Sequence, residues 1–126
     1  MAEYTTKEEM YKALDALTEK LAADEQFLKR IERASISMLL EASDIGAQYG
    51  LFLEKGTFKG EIEPEGKTSF TVVAKTSTIE KLLSGKLNGE SAYMAGAINL
   101  RGSEYTAESM LNYMPYIVRA YKAVSE

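Results

Sequence analysis

Glycines at short intervals divide residues 82–102 into brief elements, and this stretch limits the fold more than any other part of the chain. Gly85 and Gly96 each follow a short run with an apolar side, at the position where a left-handed helix cap favours glycine. Residues 97–100 then fit a half-buried strand that ends at Gly102. The pattern therefore predicts two short helices and a strand in close succession.

The N-terminal part of the chain has the apolar spacing of a helix. Residues 6–22 fit an amphipathic helix that begins with a capping box formed by Thr6 and Glu9. Its apolar stripe consists of Met10, Leu14, Leu17 and Leu21. Such a stripe faces either lipid or a protein core. Because the polar face mixes lysine with glutamate, whereas helices on membrane surfaces favour lysine and arginine, we expect this helix to pack on a core.

A second, shorter helix is predicted over residues 24–33, with Asp24 as its N-terminal cap. Its inward-facing side chains are Phe27, Leu28 and Ile31. The same helix carries a small basic cluster of Lys29, Arg30 and Arg33. These cations either hold a carboxylate or phosphate group of a ligand or form a solvated helix face, and the second role is the commoner one.

Four runs of alternating apolar residues follow and predict strands, at residues 36–40, 49–53, 58–62 and 70–74. The turns between them are short, and the one at residues 64–66 has the composition of a hairpin. Short loops between successive strands imply an antiparallel meander. The alternate positions are mostly polar, so one face of the sheet should be apolar and the other wet. Gly50 and Gly60 inside strands indicate a bulge, a twist or the close approach of another group.

Two further helices complete the pattern. Ser77 and Glu80 fit a capping box at the start of a helix that Gly85 closes. Residues 103–125 have an apolar face that persists over several helical turns. Pro115 lies inside this last segment, and its ring removes the backbone hydrogen bond to Leu111. We therefore expect the final helix to bend or to split in two.

The chain contains no cysteine and no histidine, and this excludes several kinds of chemistry. Disulfides, thiol nucleophiles, histidine bases and the usual zinc sites each need one of these residues. The carboxylate pairs Glu61/Glu63 and Glu104/Glu108 are expected to be solvated surface rather than acid–base catalysts. The composition favours a binding protein over an enzyme, with no catalytic residue, no metal and no cofactor.

Length and charge narrow the class further. A chain of 126 residues is expected to form a single domain over residues 1–126. Its net charge of −4 is spread over mixed signs without a basic stripe, so we expect no nucleic acid partner. No apolar run approaches the length of a membrane span and no leader pattern is visible, which predicts a cytoplasmic protein.

The order of elements between residues 77 and 122 resembles the sterol carrier protein 2 (SCP2-like) family in its stand-alone, prokaryotic-type form. Those domains carry a capped helix, a Gly-Lys pair, a turn with alanine and an aromatic residue or methionine, a glycine, a short strand, another glycine and a proline-containing helix. The matching positions here are Leu83, Gly85, Lys86, Ala92, Tyr93, Met94, Gly96, Ile98, Leu100 and Gly102. The resemblance implies an α+β fold in which helices cover one face of a five-stranded, mostly antiparallel sheet.

The resemblance also implies an apolar tunnel between sheet and helices that holds a fatty acid, a fatty acyl-CoA or a sterol-like lipid. The side chains expected to line it are Leu51, Leu53, Phe58, Phe70, Val72, Leu82, Tyr93, Met94, Ile98, Leu100, Met110, Met114 and Ile117. Arg30 and Arg33 are the candidate contacts to a lipid headgroup. The implied function is non-catalytic lipid binding or transfer by a monomer or homodimer, with transient membrane contact.

Two alternatives stay open at this point. The apolar spacing alone favours a packed core over a tunnel, and only the resemblance reverses that preference. An oligomerisation or accessory module would use the same apolar cleft for a partner helix or for its own second subunit.

Overall fold

The computed structural model describes residues 4–125, which form helices and one five-stranded sheet. The helices are α1 (Lys7–Ala22), α2 (Glu25–Arg30), α3 (Thr76–Ser84), α4 (Gly89–Met94), α5 (Glu104–Met110) and α6 (Met114–Ser125). The strands are β1 (Ser35–Ala42), β2 (Ala47–Glu54), β3 (Thr57–Ile62), β4 (Phe70–Ala74) and β5 (Asn99–Gly102). The predicted α+β class is confirmed. No helix among the described residues is both long and apolar enough to cross a bilayer.

The strand order is β3-β2-β1-β4-β5, with every neighbouring pair antiparallel except β1 and β4, which run parallel. The expected mostly antiparallel sheet is thus confirmed, but the meander holds only for the first three strands. The predicted hairpin at residues 64–66 is wrong, because β4 pairs with β1 on the far side of the sheet. Since consecutive residues advance the chain by at most ~3.6 Å and strands lie ~4.8 Å apart, the segment between Ile62 and Phe70 is long enough to pass two strands.

Local contacts hold this crossing segment in place. The side chain of Pro64 lies against β2, where a Cβ added at Gly50 would come within 3.0 Å of its ring. Further along, the backbone N–H of Ser69 donates to Oγ of Ser37 on β1 at 2.7 Å, and the N–H of Ser37 donates back to Oγ of Ser69 at 3.2 Å. The close approach predicted for Gly50 is therefore present, and it serves the crossover.

Helix α1 fills one half of the interior. Its stripe of Met10, Leu14, Leu17 and Leu21 is almost fully buried against β2, β3 and α6, which confirms the expected packing on a core. Tyr49 ties this helix to the sheet, because its hydroxyl donates to Oδ1 of Asp15 at 2.6 Å. Burial and this hydrogen bond raise the pKa of Tyr49 well above its ordinary value. The same hydroxyl occupies the space that a Cβ at Gly60 would need.

Helix α3 begins two residues earlier than predicted, at Thr76 instead of Thr78, and the predicted capping box of Ser77 and Glu80 does not form. Lys75 is the N-cap residue and makes no side-chain capping bond. Instead, Asp44 in the turn after β1 accepts hydrogen bonds from the backbone N–H of Thr76 at 3.0 Å and from its hydroxyl at 2.8 Å. Glu80, the expected capping partner, is buried. The start of α3 is thus fixed by a contact across the fold rather than by its own sequence.

The C-terminal segment is divided as expected. Helix α5 ends at Met110, a turn covers residues 111–113, and Pro115 is the second residue of α6. The proline breaks no hydrogen bond within α6, because the first turn of a helix has no acceptors inside the helix for its N–H groups. Gly85, at the end of α3, has a φ of 80°, and an added Cβ would lie 2.9 Å from Cγ1 of Val118. Glycine therefore allows α3 and α6 to pack closely.

Candidate functional site

An apolar cavity of about 700 Å³ lies between the β1-β4-β5 half of the sheet and helices α3 to α6. Its volume falls inside the range of roughly 300–1,000 Å³ that is usual for small-molecule sites. The floor of the cavity consists of Met38, Leu40, Phe70, Val72 and Leu100.

The pairing register of the parallel strands β1 and β4 brings most of these floor residues side by side. Met38 lies opposite Phe70, and Leu40 lies opposite Val72, which in turn faces Leu100 on β5. Because side chains at alternate positions of a strand share one face, these apolar groups form one continuous surface.

The helices supply the walls of the cavity. The wall residues of α3, α5 and α6 include Ile79, Leu82, Leu83, Ala107, Met110, Met114, Pro115 and Val118. Leu87, Tyr93, Met94, Ile98 and Leu111 complete the apolar lining around α4 and the adjoining loops. The junction between α5 and α6 thus contacts the cavity through Met110 at the end of α5, Leu111 in the turn, and Met114 and Pro115 at the start of α6.

The cavity opens to solvent beside α4. Tyr93 is 46% exposed and Met94 is 80% exposed, although both line the cavity. Asn88 begins α4 by accepting hydrogen bonds from the N–H groups of Glu90 and Ser91. The position of this short helix places apolar side chains at the opening.

All charged side chains that line the cavity are acidic. Glu90 comes from α4, while Glu104 and Glu108 lie one helical turn apart on α5, and each is exposed. The hydroxyl of Tyr93 donates to Oε1 of Glu104 at 3.4 Å, so α4 and α5 meet at the opening. We call Glu90, Glu104 and Glu108 the acidic rim. Among the residues of the described range 4–125, no three potential ligand side chains converge as a metal site.

Most of the side chains expected to line a tunnel surround this cavity. They are Phe70, Val72, Leu82, Tyr93, Met94, Ile98, Leu100, Met110 and Met114. The remaining expected residues, Leu51, Leu53, Phe58 and Ile117, lie in the packed core outside the cavity.

Helix packing explains this separation. Helices α1 and α2 cover the β2-β3 half of the sheet, and the rings of Phe27 and Phe58 meet edge to face at 5.2 Å. On α6, Met114 and Val118 lie one turn apart and face the cavity, whereas Ile117 is fully buried in the core. An apolar position on the sheet face therefore belongs to the core or to the cavity according to which helix covers it.

The two candidate headgroup contacts do not line the cavity. Arg30 lies with its guanidinium carbon 5.9 Å from the ring centre of Tyr113, in a cation–π arrangement. Arg33 is exposed in the turn after α2. The basic cluster therefore stands outside the lining, and the charged groups beside the opening have the opposite sign.

Several lining residues were not expected from the sequence, among them Met38, Leu40, Ile79, Ala107 and Val118. Met38 and Leu40 carry the same alternating signal as Leu51 and Leu53, so the pattern alone does not separate them. Only the pairing of β1 with β4, which places Met38 beside Phe70, assigns them to the cavity.

Comparison with known proteins agrees with this architecture. The model of the SCP-2 sterol transfer family matches residues 12–113. No curated protein sequence matches significantly. A conserved hypothetical protein of Thermus thermophilus, described as a possible sterol carrier protein, has a similar structure at 22% identity, with 90% of this chain and 86% of that chain covered and a TM-score of 0.71.

Two further structures show the range of proteins that contain this fold. The sterol carrier protein domain 2 of Helicoverpa armigera is 19% identical over 87% of this chain and 88% of its own, with a TM-score of 0.70. The inverting sec-alkylsulfatase of Pseudomonas sp. is 17% identical over 79% of this chain, with a TM-score of 0.62, and this chain spans only 16% of the sulfatase. Because the family model covers most of the sequence, the chain belongs to the SCP-2 sterol transfer family, whose domains bind and transfer lipids.

Proposed function

We propose that this protein binds a single-chain or sterol-like lipid in the cavity and carries or presents it without chemical change. The ligand class is that expected from the sequence, namely a fatty acid, a fatty acyl-CoA or a sterol-like lipid. The observation that carries the proposal is the continuous apolar lining of a cavity of about 700 Å³ that opens to solvent beside Tyr93 and Met94. A well-packed interior would leave few voids larger than a water molecule.

Burial of hydrocarbon supplies enough free energy for useful binding. Each buried methylene is worth about 0.8 kcal/mol, so a chain of about 14 methylenes gains roughly 11 kcal/mol. Immobilisation of the ligand offsets several kcal/mol of this gain. The remainder is close to the about 8 kcal/mol that corresponds to a micromolar dissociation constant. A contact to the polar end is therefore unnecessary for binding, and chain length should matter more than headgroup.

The lining is also adaptable. Methionine occurs at Met38 in the floor, at Met110 and Met114 in the walls and at Met94 beside the opening. Unbranched thioether side chains fill irregular gaps and accept apolar groups of varied shape. This composition supports loose selectivity for the hydrophobic part of the ligand.

The exposed apolar side chains beside the opening support transient contact with a membrane during exchange. Met94 and Tyr105 are each 80% exposed, and Tyr105 follows the rim residue Glu104 on α5. Apolar groups at such positions enter the interface of a bilayer, and the ligand then passes without crossing water. A cytoplasmic place of action is part of the same proposal, and cell fractionation tests it.

Native mass spectrometry of the protein purified from cells tests the proposal most directly. We expect an added mass of a lipid on the folded monomer or homodimer, lost after extraction with organic solvent. A protein that carries no lipid and forms a tight dimer through this face would instead support the accessory module.

A cavity-filling variant sharpens this test. Ala107 is half-buried on α5 and lines the cavity, so Ala107→Trp should displace the co-purifying lipid. Ala22→Trp, at the exposed end of α1, adds the same side chain away from the cavity and should keep the lipid. Equal lipid content in both variants would contradict the proposed site.

A further inference from the structure

The charged side chains around the cavity favour ligands with one kind of polar end group over another. This inference rests on the proposed function. Every acidic or basic residue of the lining, apart from the phenol of Tyr93, is a glutamate of the acidic rim. The lining contains no lysine or arginine, and the sequence contains no histidine. The two arginines of the α2 region lie elsewhere, Arg30 against Tyr113 and Arg33 in solvent.

The nearest lysines do not change this balance. Lys122 on α6 comes near the lining at Gly85, where its Nζ would lie 3.9 Å from an added Cβ, but it is exposed and outside the lining. Lys86 follows Gly85 in the chain and is also exposed outside the lining. Water and salt screen these cations as they screen the glutamates, but only the glutamates belong to the lining, so the glutamates set the sign of charge at the cavity.

We infer that, among the amphiphiles that fit the cavity, the tightest ligands are those whose polar end donates hydrogen bonds and carries no negative charge, a protonated amine above all. The hydrocarbon occupies the apolar lining, and its polar end emerges among the three carboxylates of the rim. An ammonium group there makes charge-assisted hydrogen bonds to carboxylate oxygens, and a hydroxyl donates a weaker one. A carboxylate or phosphate has no donor to offer and meets like charges.

The arrangement of the rim fits an organic end group better than a metal ion. The glutamates sit on two separate helices and do not converge within the described residues as a group of metal ligands. Tyr93 already donates its hydroxyl hydrogen to Glu104, so the side-chain donors left in the lining are those of the Asn88 amide, against six carboxylate oxygens of the rim. The result is an apolar cavity with an acceptor-rich, negative entrance.

Three probes with the same twelve-carbon chain test this inference, namely dodecylammonium, dodecanol and dodecanoate. Each competes at pH 7, below its micelle concentration, with the uncharged dye Nile red for the purified full-length protein. We expect the affinity order ammonium, alcohol, carboxylate. The ammonium probe should bind about tenfold tighter than the carboxylate at low salt, because each exposed charge contact contributes weakly and the three add up. The difference should shrink as salt is added.

A matched pair of triple variants locates the effect. Glu90→Gln, Glu104→Gln and Glu108→Gln together should bring the ammonium and carboxylate affinities within about twofold of each other, because each charge is removed at almost constant shape. Glu25→Gln, Glu32→Gln and Glu65→Gln change the net charge equally at exposed positions outside the lining and should keep the wild-type ratio.

The outcomes separate this inference from the proposed function. If dodecanoate binds as tightly as dodecylammonium, or if the distant triple variant removes the preference as fully as the rim variant, the inference is wrong while the lipid-binding cavity stands. If neither Nile red nor any of the three probes binds, the cavity does not take amphiphiles, and both proposals fail together.

Discussion

Asp44 links the turn after β1 to the first residue of α3, and its two hydrogen bonds to Thr76 replace the capping bond that Lys75 does not make. Burial alone would raise the pKa of Asp44, but the bonds from the Thr76 hydroxyl and N–H outweigh it and hold the pKa below its ordinary value. A carboxyl group of this kind stabilises the fold in its ionised form.

Replacing Asp44 by alanine should therefore destabilise the protein by about 1 kcal/mol at neutral pH, the usual cost of losing a helix cap. Because the pKa of Asp44 is lower in the folded state, its stabilising contribution is present above the unfolded-state pKa of about 4. The contribution is lost as the pH falls through the lower folded-state pKa. Urea unfolding at pH 7 and at pH 3 measures both effects. The difference in unfolding free energy between wild type and Asp44→Ala should be smaller at pH 3 than at pH 7.

A surface carboxylate provides the control for this prediction. Glu65 is exposed in the crossing segment between β3 and β4, and Glu65→Ala should leave the unfolding free energy nearly unchanged. If the difference in unfolding free energy between wild type and Asp44→Ala is the same at pH 7 and pH 3, the proposed role of the ionised Asp44 carboxylate is contradicted.

Glu80 is the one charged side chain that is buried among the described residues, and its Oε2 accepts no hydrogen bond from them. It lies near the paired hydroxyls of Tyr4 and Tyr121. Burial raises the pKa of both tyrosines, and the Glu80 charge adds to this effect. A carboxylate in such surroundings is poorly solvated, because neither hydroxyl donates to its free oxygen.

Glu80→Met, which keeps the length of the side chain and removes its charge, should raise the unfolding free energy by about 1–3 kcal/mol, the cost of an unsatisfied buried polar group. Denaturant unfolding measures the change. Lys81→Met makes a similar substitution at the next, exposed position of α3 and should have little effect. A loss of stability in Glu80→Met would mean that the carboxylate is satisfied in the folded protein.

At the scale of elements, the interruption between α5 and α6 is the part of the cavity wall best suited to move. Residues 111–113 form a turn between two helices, and Leu111, Met114 and Pro115 all contact the cavity. Pro115 cannot donate to the carbonyl of Leu111, so the two helices are not joined there by a continuous hydrogen-bond ladder. Opening the wall at this point requires no bond from residue 115 to be broken, which leaves the turn bonds such as Tyr113 N–H to the carbonyl of Met110 at 2.9 Å.

Pro115→Ala should slow ligand exchange, because alanine restores the N–H that can bond to Leu111 across the turn. One backbone hydrogen bond is worth about 0.5–1.5 kcal/mol, which corresponds to roughly two- to tenfold slower release if opening breaks it. Stopped-flow release of Nile red measures this rate. Pro64→Ala, on the opposite side of the fold, is the matched control, and an unchanged rate in Pro115→Ala would show that the proline only shapes the packing.

Local signals predict most of the elements, because helix stripes, strand alternation, Gly85 and Pro115 act within a few residues of themselves. The pairing of β4 with β1 is not local. Residues 64–66 have the composition of a hairpin turn, and the contacts that decide otherwise, such as Ser37 with Ser69, join residues far apart in the sequence. The start of α3 is missed for the same reason, since Asp44 lies well before Thr76 in the chain.

The candidate site is predictable only in part, for a related physical reason. Leu51 and Met38 pair directly across β2 and β1 and share one sheet face, yet Leu51 is buried in the core and Met38 lines the cavity. The apolar sequence pattern predicts that a side chain is buried. The helix packed over that side chain determines whether it contacts other protein atoms or the cavity. The sequence shows Glu104 and Glu108 as a pair one helical turn apart, but it does not show that Glu90 belongs with them, because only the placement of α4 beside α5 brings all three to one cavity.

At the scale of the whole molecule, one half of the sheet is packed against α1 and α2 and serves as a rigid support, while the other half faces the cavity. Ligand affinity should then depend on how much hydrocarbon the second half can remove from water. The half of the sheet under α1 and α2 buries no ligand hydrocarbon, because side chains such as Leu14 and Leu17 already fill the space over it.

Unbranched ligands from C8 to C18 should therefore bind more tightly with each added methylene, by about 0.8 kcal/mol or roughly fourfold. The increase should end when the chain fills the cavity of about 700 Å³. Titrating a fatty-acid series and an alcohol series side by side separates the two parts of the ligand. The two series should rise with the same slope, because both bury the same chain, and should differ by a constant offset set by the acidic rim. Equal affinity from C8 to C18 in both series would show that the chain stays in water, and the cavity would then not be the binding site.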